Sequence, residues 1–225
     1  MHIGLFGGTF NPIHNGHLRA VEEVQKGFSL DEIHLIPSAL PPHKEQKNLA
    51  DAKNRMEMIR LAVASRPALM KAVTVSDVEL KRSGPSYTID TVCHFKSISP
   101  KKSRLYLIIG LDAFLEIDTW KSYMDIFMLT SFIVIPRPGA WSSDKTIILK
   151  SIENYLKKTI SHDYDYSFSQ SCFIHADKQP VFFFDISPIN ISSTKIRKLI
   201  NQGMSIKSLV PEKVEEFIKT KGLYL

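Results

Sequence analysis

Short apolar runs and longer amphipathic stretches take turns along this chain. Runs at Ile3–Phe6, Glu32–Pro37, Ala72–Val78, Arg104–Ile109, Phe132–Ile135 and Val181–Ile186 have the length and apolar content of strands. Between them, apolar positions recur at helical spacing over Gly16–Phe28, Ala52–Ser65, Tyr87–Lys96 and Tyr123–Leu129. Further helices are expected at Thr146–Thr159, Ser193–Asn201 and Pro211–Lys219. The last is well signed, with Pro211 in its first turn, Glu212, Glu215 and Glu216 early, Lys219 and Lys221 late, and Gly222 as the stop. Leu105–Ile109 and Phe132–Ile135 are apolar without alternation, as in strands covered on both faces of a parallel sheet. Repeated strand–helix units of this kind predict an α/β fold, a doubly wound parallel sheet with helices on both faces and a C-terminal helical segment, which binds ligands at the carboxyl ends of its strands. Residues 139–180 fit this rhythm poorly. They hold one amphipathic helix and then the polar stretch Ser161–Ser171, and read as a surface insertion in a single domain spanning residues 1–225.

Composition narrows the class. Of the 225 residues, 44% are hydrophobic and 23% charged, which is globular rather than disordered. The net charge of +6 suits anionic small molecules but is too modest and scattered to argue for nucleic acid. Lys101-Lys102 and Lys157-Lys158 are brief runs best read as solvated faces. Cys93 and Cys172 form no C-x-x-C pair, as expected of reduced thiols in a cytoplasmic protein. No basic segment precedes the apolar opening, so no signal peptide is expected. The longest apolar run, Ile126–Pro136, is about half the roughly 20 residues a membrane helix needs.

Candidate chemistry begins where the first strand stops. Gly7-Gly8-Thr9-Phe10-Asn11-Pro12-Ile13-His14-Asn15-Gly16-His17 joins that strand to a helix. Strand, glycine-bearing loop and helix start together present bare backbone N–H groups and a positive helix end to an anion. His14 and His17 stand three apart at that mouth, on one side of the starting helix. The loop is neither a P-loop nor a dinucleotide fingerprint, because the required Gly-Lys-Ser/Thr and G-x-G-x-x-G spacings are absent. A zinc pair lacks a third ligand at convincing spacing, so no protein metal site is assigned. Either histidine alone reads as an ordinary residue of a capped helix; both beside these glycines favour a phosphate site.

A second constellation, Ile191-Ser192-Ser193-Thr194-Lys195-Ile196-Arg197, follows the last apolar strand and opens another helix. Ser192 or Ser193 reads as its N-cap, with unpaired N–H groups beyond. Arg197 lies one turn past Ser193 on the same face, and the same start can cradle a polyphosphate.

The two segments together resemble the nucleotidylyltransferase superfamily, whose signatures are a His-x-Gly-His loop and an Ile-Ser-Ser-Thr-x-Ile-Arg helix start. Pro41-Pro42-His43-Lys44, Ser86-Tyr87-Thr88-Ile89-Asp90-Thr91, Gly110-Leu111-Asp112, Trp120 and Arg137-Pro138-Gly139 look like further motifs of one branch, the bacterial nicotinate-nucleotide adenylyltransferases. The resemblance runs from Met1 to the last helix, with residues 139–179 longer than the pattern. It implies a Rossmann-like fold and transfer of an adenylyl group from ATP to nicotinate mononucleotide, yielding nicotinate adenine dinucleotide and pyrophosphate. By resemblance, His14 and His17 flank the ATP phosphates, His17 nearest the α-phosphate, with Gly8, Thr9, Phe10 and Gly16 bordering them. Ser193, Thr194 and Arg197 would hold the β- and γ-phosphates, and Gly110 and Asp112 would face the nucleotide. Lys44 would reach the mononucleotide phosphate, Tyr87, Thr88 and Trp120 would enclose the pyridine ring, and Arg137 would assist a phosphate. Mg²⁺ would ride on phosphate oxygens and water.

Competing readings are a related enzyme using nicotinamide mononucleotide or phosphopantetheine, and a non-catalytic nucleotide sensor or RNA binder. The partners expected are ATP and nicotinate mononucleotide, with no nucleic acid and no membrane. The oligomeric state stays open, a homo-oligomer included.

Overall fold

The computed structural model describes residues 1–39, 49–136 and 144–225. Strands in chain order are β1 (His2–Gly8), β2 (Glu32–Pro37), β3 (Val73–Val75), β4 (Arg104–Gly110), β5 (Ser131–Ile135), β6 (Asp165–Ser167), β7 (Cys172–Ile174) and β8 (Val181–Phe183). Helices are α1 (Asn15–Gly27), α2 (Ala52–Ala64), α3 (Pro67–Met70), α4 (Thr88–Ile98), α5 (Leu111–Phe114), α6 (Tyr123–Leu129), α7 (Lys145–Tyr155), α8 (Ser193–Asn201) and α9 (Glu212–Thr220). A 3-10 turn spans Ile117–Thr119, and a π-helical turn, Leu156–Ile160, continues α7.

The strands form one sheet of order β3-β2-β1-β4-β5-β8-β7-β6. Pairings β2–β3, β1–β4, β4–β5 and β5–β8 are parallel, whereas β8–β7 and β7–β6 are antiparallel. The chain therefore winds outward from β1 and then returns to its other side at β4. Strand order reverses there, the place where ligands gather in open α/β sheets. The expected doubly wound parallel sheet is present, and at one edge residues 165–174 add two antiparallel strands that their polar composition hid. Just before β6, Tyr164 is fully buried and its hydroxyl donates to Gln179 O at 2.9 Å, next to the start of β8.

Contacts divide the chain into two units. The first, Met1–Phe6 with Tyr87–Ile186, centres on the wholly buried β5 and on an aromatic cluster. In it Phe127 lies 4.4 Å from Phe132 and Phe114 lies 5.6 Å from Phe132 between ring centroids. The second, Gly7–Ser86 with Ser187–Leu225, buries Leu18, Val21 and Val24 of α1, Ile33 and Leu35 of β2, Met58 and Ile59 of α2, Ile196 of α8 and Val214 and Ile218 of α9. The predicted bounds of β2, α6 and α8 agree with those observed; β1, β4 and β5 are longer than predicted, and the other predicted elements differ by a few residues at their ends. No helix among the described residues is long and apolar enough to cross a membrane.

Candidate active site

The start of α1 is capped by its own two histidines. His14 is the N-cap in an extended conformation, and its Nδ1 accepts from the His17 backbone N–H at 3.4 Å. In return His17 Nδ1 accepts from the His14 N–H at 3.3 Å, a reciprocal capping box built from imidazoles instead of Ser and Glu. The rings stack with centroids 3.7 Å apart and planes 25° apart. A neutral imidazole that accepts at Nδ1 carries its proton at Nε2, so this pattern assigns both rings as Nε2–H donors. The motif's glycine has a steric reason: a Cβ on Gly16 would lie 3.0 Å from His14 Nδ1. Asn15, between the histidines, is half-buried, its backbone N–H donating to Leu209 O at 2.9 Å and its Nδ2 to Ser208 O at 2.7 Å.

The loop before the helix is shaped around Phe10. Phe10 is buried with a left-handed φ of 47°, a conformation costing a non-glycine residue roughly 1–2 kcal/mol and held only by its surroundings. Its ring meets His17 edge-on at 5.1 Å and covers Gly8, where a Cβ would stand 3.0 Å from the ring. Phe10 thus wedges between Gly8 and His17 and limits the motion of that imidazole.

Onto this loop the start of α8 is stitched from far along the chain. Ser192 is its N-cap and accepts from Lys195 N at 3.2 Å. Ser193 Oγ donates to Pro12 O at 2.8 Å, and Arg197 Nη1 donates to Asn11 O at 2.8 Å. Arg197 Nη2 donates to Thr194 Oγ1 at 3.4 Å, so the guanidinium lies along the helix start. These bonds join residues 181 and 186 positions apart. The sequence-predicted residues Gly8, Thr9, Phe10, His14, Gly16, His17, Ser193, Thr194 and Arg197 thereby fall in one neighbourhood. The Ser193 hydroxyl proton is committed to Pro12, which leaves the Ser193 backbone N–H as its donor at the helix start.

Three residues that sequence reasoning missed fix this loop. Asn11 is 7% exposed, and its Oδ1 accepts from Ala50 N at 3.0 Å and from Tyr224 Oη at 2.7 Å. Arg55, on α2, is 1% exposed and gives its nitrogens to backbone carbonyls: Thr9 O at 2.8 Å, Ser38 O at 2.7 Å and Ala50 O at 3.0 Å. Burial draws the Arg55 guanidinium below its ordinary pKa, opposed by the nearby Tyr224 and Asp51. Burial raises the Tyr224 phenol, while Arg197 and Arg55 oppose that shift. One signal was available for Arg55: it shares the helical stripe of Met58, Ile59 and Ala62, all fully buried.

The remaining predicted residues lie in the first unit. Gly110 ends β4 and caps α5 through its backbone alone, with Asp112, partly exposed, in the first turn. Tyr87 is the N-cap of α4 and makes no side-chain cap bond; Thr88 is the first helical residue. Trp120 is partly exposed at the end of the 3-10 turn. Its neighbour Lys121 places Nζ 4.6 Å from the Tyr87 ring centroid and 3.6 Å from Asp90 Oδ1, which brings the Trp120 segment to the start of α4. Lys44 and Arg137, with the Pro41-Pro42-His43 segment and Gly139, lie outside the described residues.

Chemically, the loop and α8 offer imidazole N–H groups, two helix N-termini and a guanidinium, a set suited to an extended polyanion. Among the described residues no group of three or more His, Cys, Asp or Glu is placed to hold a metal ion.

Comparisons with known proteins place the chain in a family. The family model described as cytidylyltransferase-like matches residues 5–199. A "Probable nicotinate-nucleotide adenylyltransferase" of Desulfatibacillum aliphaticivorans is 43% identical, with 100% of both chains covered. A protein of the same description from Geotalea uraniireducens is 38% identical, covering 100% of this chain and 98% of the other. The fold is that of the Plasmodium falciparum nicotinic acid mononucleotide adenylyltransferase complexed with NaAD, at a TM-score of 0.74 and 19% identity over 99% of this chain and 97% of that one. With its His-x-Gly-His loop and Ser-Ser-Thr helix start meeting in one place, the chain belongs to the cytidylyltransferase-like family, in its nicotinate-nucleotide adenylyltransferase branch.

Proposed function

We propose that this chain transfers the adenylyl group of MgATP to the phosphate of nicotinate mononucleotide, in NAD biosynthesis. A phosphate oxygen of the mononucleotide attacks the α-phosphorus, the bond to the β-phosphate oxygen breaks, and pyrophosphate leaves with nicotinate adenine dinucleotide as the other product. The attacking oxygen is already anionic near neutral pH, so catalysis needs position and charge stabilisation rather than a strong base. The observation that carries this reading is the convergence of the α1 and α8 starts on the loop Gly8–Pro12.

His14 and His17 serve as Nε2–H donors to the triphosphate, His17 at the α-phosphate, where charge builds. The backbone of Gly8, Thr9, Phe10 and Gly16 borders the same anion. Thr194, Arg197 and the N–H of Ser193 hold the leaving pyrophosphate. Mg²⁺ bound through phosphate oxygens of the nucleotide and water would supply charge neutralisation, and the N–H and guanidinium donors of this site would hold the remaining phosphate oxygens. Gly110 and Asp112 are assigned to the nucleotide, and Lys44 and Arg137 to phosphate contacts. Tyr87, Thr88 and Trp120 enclose the pyridine ring, an electron-poor cation that stacks well on an indole. Cytoplasmic residence fits the two unpaired thiols, Cys93 exposed and Cys172 buried.

The direct test supplies MgATP with nicotinate mononucleotide or nicotinamide mononucleotide at equal concentration and measures pyrophosphate and dinucleotide. Turnover with a preference for the acid is expected; no pyrophosphate with either acceptor would end the reading. Trp120→Ala is expected to raise the KM for the mononucleotide about tenfold, the scale of one lost stacking contact. An effect confined to the KM for ATP would place Trp120 on the wrong substrate.

A further inference from the structure

We propose that Arg55 is a positioning residue of the phosphate site: from inside α2 it sets the direction of the backbone donors in the Gly8–Asn11 loop. This inference rests on the reading of that loop as the triphosphate site.

The geometry is specific. Arg55 Nη1 donates to Thr9 O at 2.8 Å and Nη2 to Ser38 O at 2.7 Å, with Ala39 O at 3.5 Å from the same nitrogen. Nε donates to Ala50 O at 3.0 Å. Among the described residues no carboxylate lies within ion-pair distance of Arg55; carbonyl dipoles from three separate pieces of backbone, with the charge of nearby Asp51, compensate its own. Two pieces flank residues 40–48 in the sequence, and the third is the phosphate loop.

Peptide planarity turns these bonds into control of the loop. In a trans peptide the C=O and the following N–H point in opposite directions. Holding Thr9 O toward α2 therefore directs the Phe10 N–H away from it. The preceding plane is fixed at one remove: Gly8 O accepts from Ser38 N at 3.0 Å, and Ser38 O is itself held by Arg55. The Thr9 N–H, opposite Gly8 O, is thereby oriented too. From the other side Asn11 O is held by Arg197, and Asn11 Oδ1 by Ala50 N, the residue whose carbonyl Arg55 also grips. A planar fork can serve three carbonyl groups of diverging direction; a lysine ammonium at the end of a flexible stem cannot. An apolar residue would fill this interior position at lower desolvation cost, so what the buried cation contributes is the orientation of the carbonyls it holds.

The test uses the full chain carrying Arg55→Lys and, separately, Arg55→Ala. Thermal melts, steady-state kcat and KM, and affinity for a non-reacting ATP analogue are read on each. Arg55→Lys is expected to stay folded and lose about ten- to a hundredfold in kcat per folded molecule, the cost of a misplaced reacting group. Arg55→Ala is expected to regain part of its turnover with guanidinium ion at concentrations well below unfolding, and none with ammonium at equal ionic strength. Wild-type kcat in folded Arg55→Lys would overturn the proposal, as would loss in Arg55→Ala that guanidinium leaves unchanged. Two variants that both fail to fold would also overturn it, since the residue would then serve the fold alone. A wild-type chain without adenylyl transfer would instead remove the functional reading beneath it, which the unmodified assay detects first.

Discussion

Replacing His17 with alanine is expected to lower kcat for dinucleotide formation by about 10²–10³, or about 2.7–4 kcal/mol, the cost of removing one donor to developing charge. His17 is a strong target because three contacts define its pose: Nδ1 on the His14 N–H, its ring stacked on His14, and the Phe10 edge on its other side. In the proposed reaction an imidazole so held would lose little freedom as the α-phosphate becomes more negative, so its Nε2–H would act at the transition state without reorganisation. ATP should still bind, since the helix termini and Arg197 remain, and the KM for ATP should change far less than kcat. Loss of half the capping box weakens α1 by about 0.5–2 kcal/mol, so melts must accompany the kinetics. His17→Ala with near-normal kcat would remove it from the chemistry.

Pattern alone located β1 to β5, β8 and the two helix starts, because these signals are local. β2 is legible because Ile33, Leu35 and Ile36 are apolar within a short run; α8 because Ser192 caps a helix whose Ile196 is buried. Residues 165–174 gave no such signal. Tyr166 and Phe173 meet at 5.0 Å across the β6–β7 pair, yet they sit among Ser, Asp and Gln, and a three-residue strand has too few positions to alternate. The histidine cap of α1 was equally hidden, since cap preferences favour short oxygen side chains. Asn11, Arg55 and Tyr224 escaped for another reason. Their partners are backbone atoms or residues between 5 and 213 positions away, and a side chain bonded to a distant carbonyl leaves no periodicity behind. An arginine on a helix ordinarily reads as a solvated face; only its place on the buried stripe of α2 marked Arg55 as different.

Arg197→Ala is expected to cost about 10²–10³ in kcat/KM, shared between a higher KM for ATP and a lower kcat, because the side chain has two tasks. One nitrogen holds Asn11 O and so ties α8 to the loop; the other lies along the helix start at Thr194, where the proposed reaction would build pyrophosphate charge. Arg197→Lys separates the tasks. Lysine restores a positive charge but cannot reach Asn11 O and an anion together as a fork does, so part of the KM defect should return while kcat stays low. The Asn11 link also predicts non-additivity. Removing the loop anchor lets the Phe10 wedge and His17 relax together, so His17→Ala in an Arg197→Ala background should cost less than in the wild type. Fully additive losses would mean that the two helix starts act on the nucleotide independently, with the shared loop serving only as a hinge of the fold.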